Sequence, residues 1–258
     1  MLYTFFNIYI TKACYDGFIP AIQYALKWSK ITINQQSGSL KRTPLFVACQ
    51  RGHLKAVELL INSTKVIIST KINHAKEIVD VVDVVDVVDV NLCDEEGVSP
   101  LLSCALEGHY DIVQLLLSCA AIDVNMCRKD GVTALYAACE RGLIDIVRLL
   151  VQHKQINLNC ITNDGATALW MASQNGHVAV VRHLLSHSSS SNSTSSHSSS
   201  SHSSSHSSSI DVNRAKNGVT PLFTACQRNH SQVVRLLLAT SNIDVNCQNN
   251  SGYTPLNM

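Results

Sequence analysis

Apolar residues recur along this chain in short blocks of seven to nine, each closed by a sharp polar break. From Gly131 to Asn159 the pattern is clearest. Ala134 to Arg141 sets Leu135, Ala138 and Cys139 on one face of a helix, and Ile144 to Val151 does so for Ile144, Val147, Leu149, Leu150 and Val151. Gly142 stands between them, where the chain must turn sharply and a residue without Cβ does so at least cost. Each helix is about two turns long, and helix nucleation is too costly for such a segment to persist alone. The pair therefore needs copies of itself on both sides.

The copies are present. The Thr or Ser that opens the first helix recurs at Thr43, Ser99, Thr133, Thr167, Thr220 and Thr254, and the steps 99 to 133, 133 to 167 and 220 to 254 are each 34 residues. The other two steps, 56 and 53, are one period plus 22 and plus 19. Similar text follows each marker: T-P-L-F-V-A-C-Q-R-G-H from Thr43, S-P-L-L-S-C-A-L-E-G-H from Ser99, T-A-L-W-M-A-S-Q-N-G-H from Thr167 and T-P-L-F-T-A-C-Q-R-N-H from Thr220. A V-x-L-L pattern comes next, then I-D-V-N at Ile122 and Ile243, with relatives at Ile156 and Val88. This text resembles the ankyrin repeat. The resemblance implies an all-α fold, an ankyrin-repeat solenoid of helix-turn-helix repeats with hairpin-like loops and two long disordered insertions. Its repeats run over about residues 1–34 (degenerate), 35–91, 92–125, 126–159, 160–213, 214–247 and a truncated 248–258. The insertions occupy 63–87 and 188–209. The family usually writes T-P-L-H, and Phe46, Leu102, Tyr136, Trp170 and Phe223 stand where that His would be, which puts its hydrogen bond to the Thr in doubt.

The ends and insertions are less regular. Residues 1–10 are apolar but lack a basic start and a small-residue cleavage site, and Ile10 to Trp28 keeps the A-C-x-x-G spacing, so a degenerate first repeat is expected rather than a signal peptide. Lys41 stands where other copies have Gly, and Asn229 replaces the Gly of the helix turn. The run of V-V-D from Val79 to Val90 carries too many carboxylates to cross lipid and fits neither a helical nor a strand period. It reads as an exposed loop, with a Ca²⁺ or partner site at Asp80, Asp83, Asp86 and Asp89 as the lesser alternative. Ser188 to Ser209 is nearly pure Ser with His197, His202 and His206, and cannot bury enough apolar area to order itself. His183 takes the place of a Leu in V-x-L-L, one turn before His187; a half-buried compromise is the simpler reading, a zinc pair the sharper one. The chain stops partway through a repeat, as a fragment would.

Composition adds mainly exclusions. A net charge of +1 over 258 residues points to no nucleic-acid or lipid partner, and no membrane insertion is expected. The ten cysteines contain no C-x-x-C pair. Cys49, Cys139 and Cys226, with Cys14 and Cys104 nearby in register, fall at small-residue positions of the first helix, so reduced structural thiols are expected before disulfides or metal ligands. No phosphate-binding, hydrolase or zinc-protease motif occurs, and no catalytic residue, cofactor or metal is expected. The recurring His53, His109, His177 and His230 read as structural, and Asp94, Glu95, Glu96, Asp130 and Asp164 as loop residues.

The family resemblance implies a non-enzymatic protein-interaction module or scaffold of the cytosol or nucleus, binding an unidentified protein through its concave face and loop tips. The alternative is a recognition fragment of a longer enzyme, adaptor or channel. The family's variable positions fall here on Glu95, Glu96, Val98, Leu106 and Glu107, then Lys129, Asp130, Val132, Glu140 and Arg141. The later copies supply Asn163, Asp164, Ala166, Gln174 and Asn175, then Lys216, Asn217, Val219, Gln227 and Arg228. Tyr136 and Trp170 lie beside them, either as partner anchors or as rings packed between repeats. Oligomeric state is not encoded in any of these patterns.

Overall fold

A computed structural model describes residues 2–27, 32–63, 87–190 and 209–258, with side chains from residue 8 onward and short of 188–190. Most of the V-V-D run and of the Ser/His run therefore lies outside the described residues. The chain divides into two compact units, Met1–Asp123 and Val124–Met258. Both are built of helix pairs. Among the described residues there is no strand, only the isolated bridges Ser37–Arg42, Cys127–Thr133 and Lys216–Val219.

The first unit contains α1 (Leu2–Asp16), α2 (Ile19–Leu26), α3 (Pro44–Gln50), α4 (54–63), α5 (Pro100–Glu107) and α6 (Tyr110–Leu117). Within it α3 packs between α1 and α5, while α2 and α6 fold back on α1 and α5. The second unit contains α7 (Ala134–Arg141), α8 (Ile144–Gln152), α9 (Ala168–Gln174), α10 (Val178–Ser190), α11 (Pro221–Gln227) and α12 (Ser231–Leu238), then a closing 3₁₀ turn at Pro255–Asn257. There α9 packs between α7 and α11, and α10 between α8 and α12.

The marker residues start the first helices as their chemistry requires. Phe46, Leu102, Tyr136, Trp170 and Phe223 donate their backbone N–H to the side-chain oxygen of Thr43, Ser99, Thr133, Thr167 and Thr220, at 3.0–3.2 Å. Each bond satisfies an amide that the helix leaves unpaired, a contribution of about 1 kcal/mol. Pro44, Pro100 and Pro221 occupy the first helical position, where a missing N–H costs nothing. Replacing the family's His therefore leaves the cap intact.

Two expectations about faces need correction. In α7 not one face but all of Ala134 to Cys139 is buried, because a first helix is enclosed by neighbouring helices on several sides. In α8 the buried set is Ile146, Val147, Leu150 and Val151, with Ile144 and Leu149 half-buried, a narrower stripe turned toward its own pair. The boundary of the second insertion also shifts, since α10 continues as helix through Ser190.

Left-handed turns end the first helices. Gly108 and Gly142 close α5 and α7 at φ +84° and +70°, and Asn229 takes the same conformation at φ +58°. Lys41 does so in its loop at φ +51°, standing in for the Gly of the other copies. Buried thiols fill the helix interiors: burial pushes Cys14 up to about 12 and raises Cys49 and Cys139, so each stays protonated and behaves as a small apolar side chain.

Candidate functional site

The loops that join the helix pairs are held by an asparagine at the end of each I-D-V-N segment. Asn91 donates through Nδ2 to the carbonyl of Ala121 and accepts through Oδ1 from the amide of Asp123. Asn125 does the same with Gln155 and Asn157, and Asn213 with Asn242 and Asp244. Asn34 reaches Val87 and Asp89, and Asn159 reaches Ser209 and Asp211, so both loops that follow the insertions rejoin the ladder. The pairing was not foreseen from the chain, although the recurring Asn was its visible signal.

Beyond this ladder the loops project as fingers. In the second unit Arg128 and Val132 pair through their backbones, as do Thr162 with Ala166 and Lys216 with Val219. Adjacent fingers are joined directly: the amide of Asn163 donates to the carbonyl of Asp130 at 2.8 Å, and its side chain to the carbonyl of Lys129. Gly131, at φ +88°, lets the next finger approach, since a Cβ there would lie 2.7 Å from the Thr162 Cα.

At the finger tips Lys129, Asn163, Asp164 and Asn217 are exposed, and Asp130 and Lys216 are half-buried. Asp130 accepts from the amide of Val132 and pairs with Arg128, whose guanidinium holds the carboxyl below the usual carboxylate range. Asp164 pairs with Lys216 and accepts from the Thr162 hydroxyl, and its carboxyl is lowered likewise, first by Lys216. At the ends of the first helices Glu140, Arg141, Asn175, Gln227 and Arg228 are exposed and Gln174 is half-buried. Here the backbone is fixed, and so is the side chain of Asn175. The carbonyl of Glu140 accepts from Asn175 and meets the His177 ring, and the carbonyl of Gln174 meets the His230 ring at 2.9 Å. The recurring histidines thus serve as links between neighbouring pairs, and His53 and His109 do the same in the first unit.

The first unit carries a separate, more acidic set. Glu95, Glu96 and Glu107 are exposed and Leu106 is half-buried. Asp94 accepts from the amides of Glu96 and Val98, shaping that finger, and Lys41 pairs with Glu95 at 3.6 Å.

Several residues expected on the binding face face inward. Tyr136 and Trp170 are only 7% and 5% exposed. The Trp170 indole donates to the carbonyl of Val219 at 2.8 Å, and Lys216 lies over its ring at 4.7 Å. Both rings are thus buried, and the Trp170 ring reaches across to the loop before α11. Burial pushes the Tyr136 hydroxyl up to about 12, with the nearby carboxylates of Glu140, Asp164 and Asp130 adding to the shift. Val132 and Ala166 are buried too, because the residue after the finger glycine closes the loop against the core; Val98 and Val219 are half-buried.

Among the described residues no group of three or more His, Cys, Asp or Glu could hold a metal ion, and no helix is long and apolar enough to cross a membrane.

The comparisons agree with this architecture. Family models for ankyrin repeats match residues 10–126 and 121–195 in three-copy form, and residues 205–258 in many-copy form. An ankyrin repeat domain from Acinetobacter baumannii AYE is 26% identical, with a TM-score of 0.66 over 89% of this chain and 95% of that one. The ankyrin repeat protein EF0377 is 19% identical, with a TM-score of 0.69 over 90% of this chain and 98% of that one. The ankyrin repeat domain of Bcl-3, a member of the IkappaB protein family, is also 19% identical, with a TM-score of 0.70 over 96% of this chain and 92% of that one. No curated protein matches the chain.

Proposed function

Because the chain belongs to the ankyrin repeat family, a general protein–protein interaction fold, we propose that it is a non-enzymatic module that takes a partner protein on its finger tips and first-helix ends. The reading places it in the cytosol or nucleus. The observation that carries it is the division of labour in Val124–Met258. Backbone groups at Asp130, Glu140, Asn163 and Gln174 are committed to neighbouring repeats, as is the Asn175 side chain, while Lys129, Glu140, Arg141, Gln227 and Arg228 present their side chains to solvent. Repeated positions fold the chain and non-repeated ones are left over, which is the arrangement a recognition surface needs. The rigid frame lowers the ordering cost of docking. Glu95, Glu96, Leu106 and Glu107 form the corresponding set of Met1–Asp123. Tyr136 and Trp170 support the surface from beneath rather than contacting the partner.

The test is capture of a partner with the full chain, followed by paired substitutions. Glu140→Ala with Arg141→Ala, and Gln227→Ala with Arg228→Ala, should abolish or sharply weaken binding. The melting temperature should stay unchanged, since exposed substitutions of this kind shift stability by within about 0.5 kcal/mol. Retention of the partner by both double variants would place its site elsewhere.

A further inference from the structure

The second helices α4, α6, α8 and α12 carry a V-x-L-L pattern, and its first Leu is Leu149 in α8 and Leu236 in α12. In α10 that position is His183, a half-buried imidazole. Its Nε2 is sealed from solvent and has no hydrogen-bond partner. Whichever tautomer is present, a buried ring nitrogen without a partner costs about 1–3 kcal/mol. A leucine would avoid that cost. His187 follows one helical turn later, and residues four apart on a helix lie on the same face.

We propose that His183 and His187 form an exchangeable two-histidine site for a late first-row divalent cation, zinc or copper(II). Imidazole nitrogen suits these ions, while magnesium and calcium require oxygen. The surroundings favour the ligating form. Burial lowers the proton affinity of His183, and Arg148 and His187 lower it further, so protons compete weakly for the nitrogen near neutral pH. Arg148 opposes a dication, but its guanidinium is paired with Asp145 at 2.9 Å. A turn of the half-buried His183 ring would bring Nε2 out to a hydrated cation, and two protein ligands would leave the other coordination positions to water, so the site is reversible and of moderate affinity rather than structural.

The test is titration of the full chain with zinc, copper(II) and magnesium salts, following heat and the ring resonances of His183 and His187. Copper should bind more tightly than zinc, and magnesium should leave both rings unmoved. His183→Leu and His187→Thr borrow the residues of the equivalent repeat, and each should cost on the order of a hundredfold in affinity, since each removes the intramolecular second ligand. Changing His197, His202 and His206 to Ser should leave the effect in place. The proposal is overturned if the single substitutions leave affinity unaltered, or if that triple change removes binding. It is overturned equally if neither ring responds to zinc or copper while His183→Leu merely raises the melting temperature.

Discussion

At the scale of single residues, the glycine at the end of four first helices and the histidine that begins the next pair's second helix act as one device. A Cβ on Gly142 would lie 2.6 Å from the Nδ1 of His177, whose Nε2 meets the carbonyl of Glu140 at 2.9 Å. Gly17 with His53, Gly52 with His109 and Gly176 with His230 repeat the contact. The glycine is required twice over, once for its left-handed backbone and once for the ring above it. Gly142→Ala should then lose about 1–2 kcal/mol to backbone strain, and roughly another 1 kcal/mol because the ring must leave its hydrogen bond. In a His177→Ala background only the strain should remain, giving a coupling of about 1 kcal/mol in a double-mutant cycle read by urea denaturation. Additive losses would show that the ring does not depend on the missing Cβ.

At the scale of helices and loops, much was legible because its causes are local. The capping Thr and Ser, the Pro after three of them, and the glycine at helix ends act within a few residues, and the helix Ala134–Arg141 begins and ends where those signals place it. Burial of Tyr136 and Trp170 was not legible, because an aromatic ring after the cap suits a surface as well as a seam, and the partner of the Trp170 indole lies 49 residues away. The asparagine ladder was hidden for the same reason. Asn159 bonds to Ser209 and Asp211, across separations of 50 and 52 residues, and so fixes where the chain re-enters after the Ser/His run. Asn159→Ala should remove both bonds and leave two backbone groups needing water, at about 1–3 kcal/mol. Hydrogen exchange should then quicken at Asp211 and Asn213 before it changes in α9. Unaltered exchange at Asp211 would mean that packing of Ile210 and Val212, both buried, sets the register without the ladder.

At the scale of the whole molecule, stability in a solenoid is a sum of repeat and neighbour terms, so a helix pair enclosed on both sides outlasts one enclosed on a single side. In Val124–Met258, α9 and α10 have helical neighbours on both sides, whereas α11 is followed only by the 3₁₀ turn at Pro255–Asn257, and α12 packs on α10 alone among the second helices. Apolar side chains at the end of α12 and beyond it are accordingly uncovered: Leu238, Val245, Tyr253 and Met258 are exposed, and Leu256 is 93% exposed. The junction before this pair is also weak, since His183 places an unpartnered ring nitrogen in α10 where Leu149 and Leu236 stand in its neighbours. In a polypeptide of residues 1–258, amide exchange should therefore begin at the residues after Leu238, spread through α12 and α11 back to Asn213, and be slowest between Thr133 and Leu185. A partner bound across the fingers at Lys216, Asn217 and Arg228 would slow exchange most where the free chain opens first, because binding to the folded state alone suppresses opening in proportion to its affinity. Uniform protection from Thr133 to Leu238 in the free chain would mean that the unit opens as one body and that the exposed terminal side chains carry no energetic consequence.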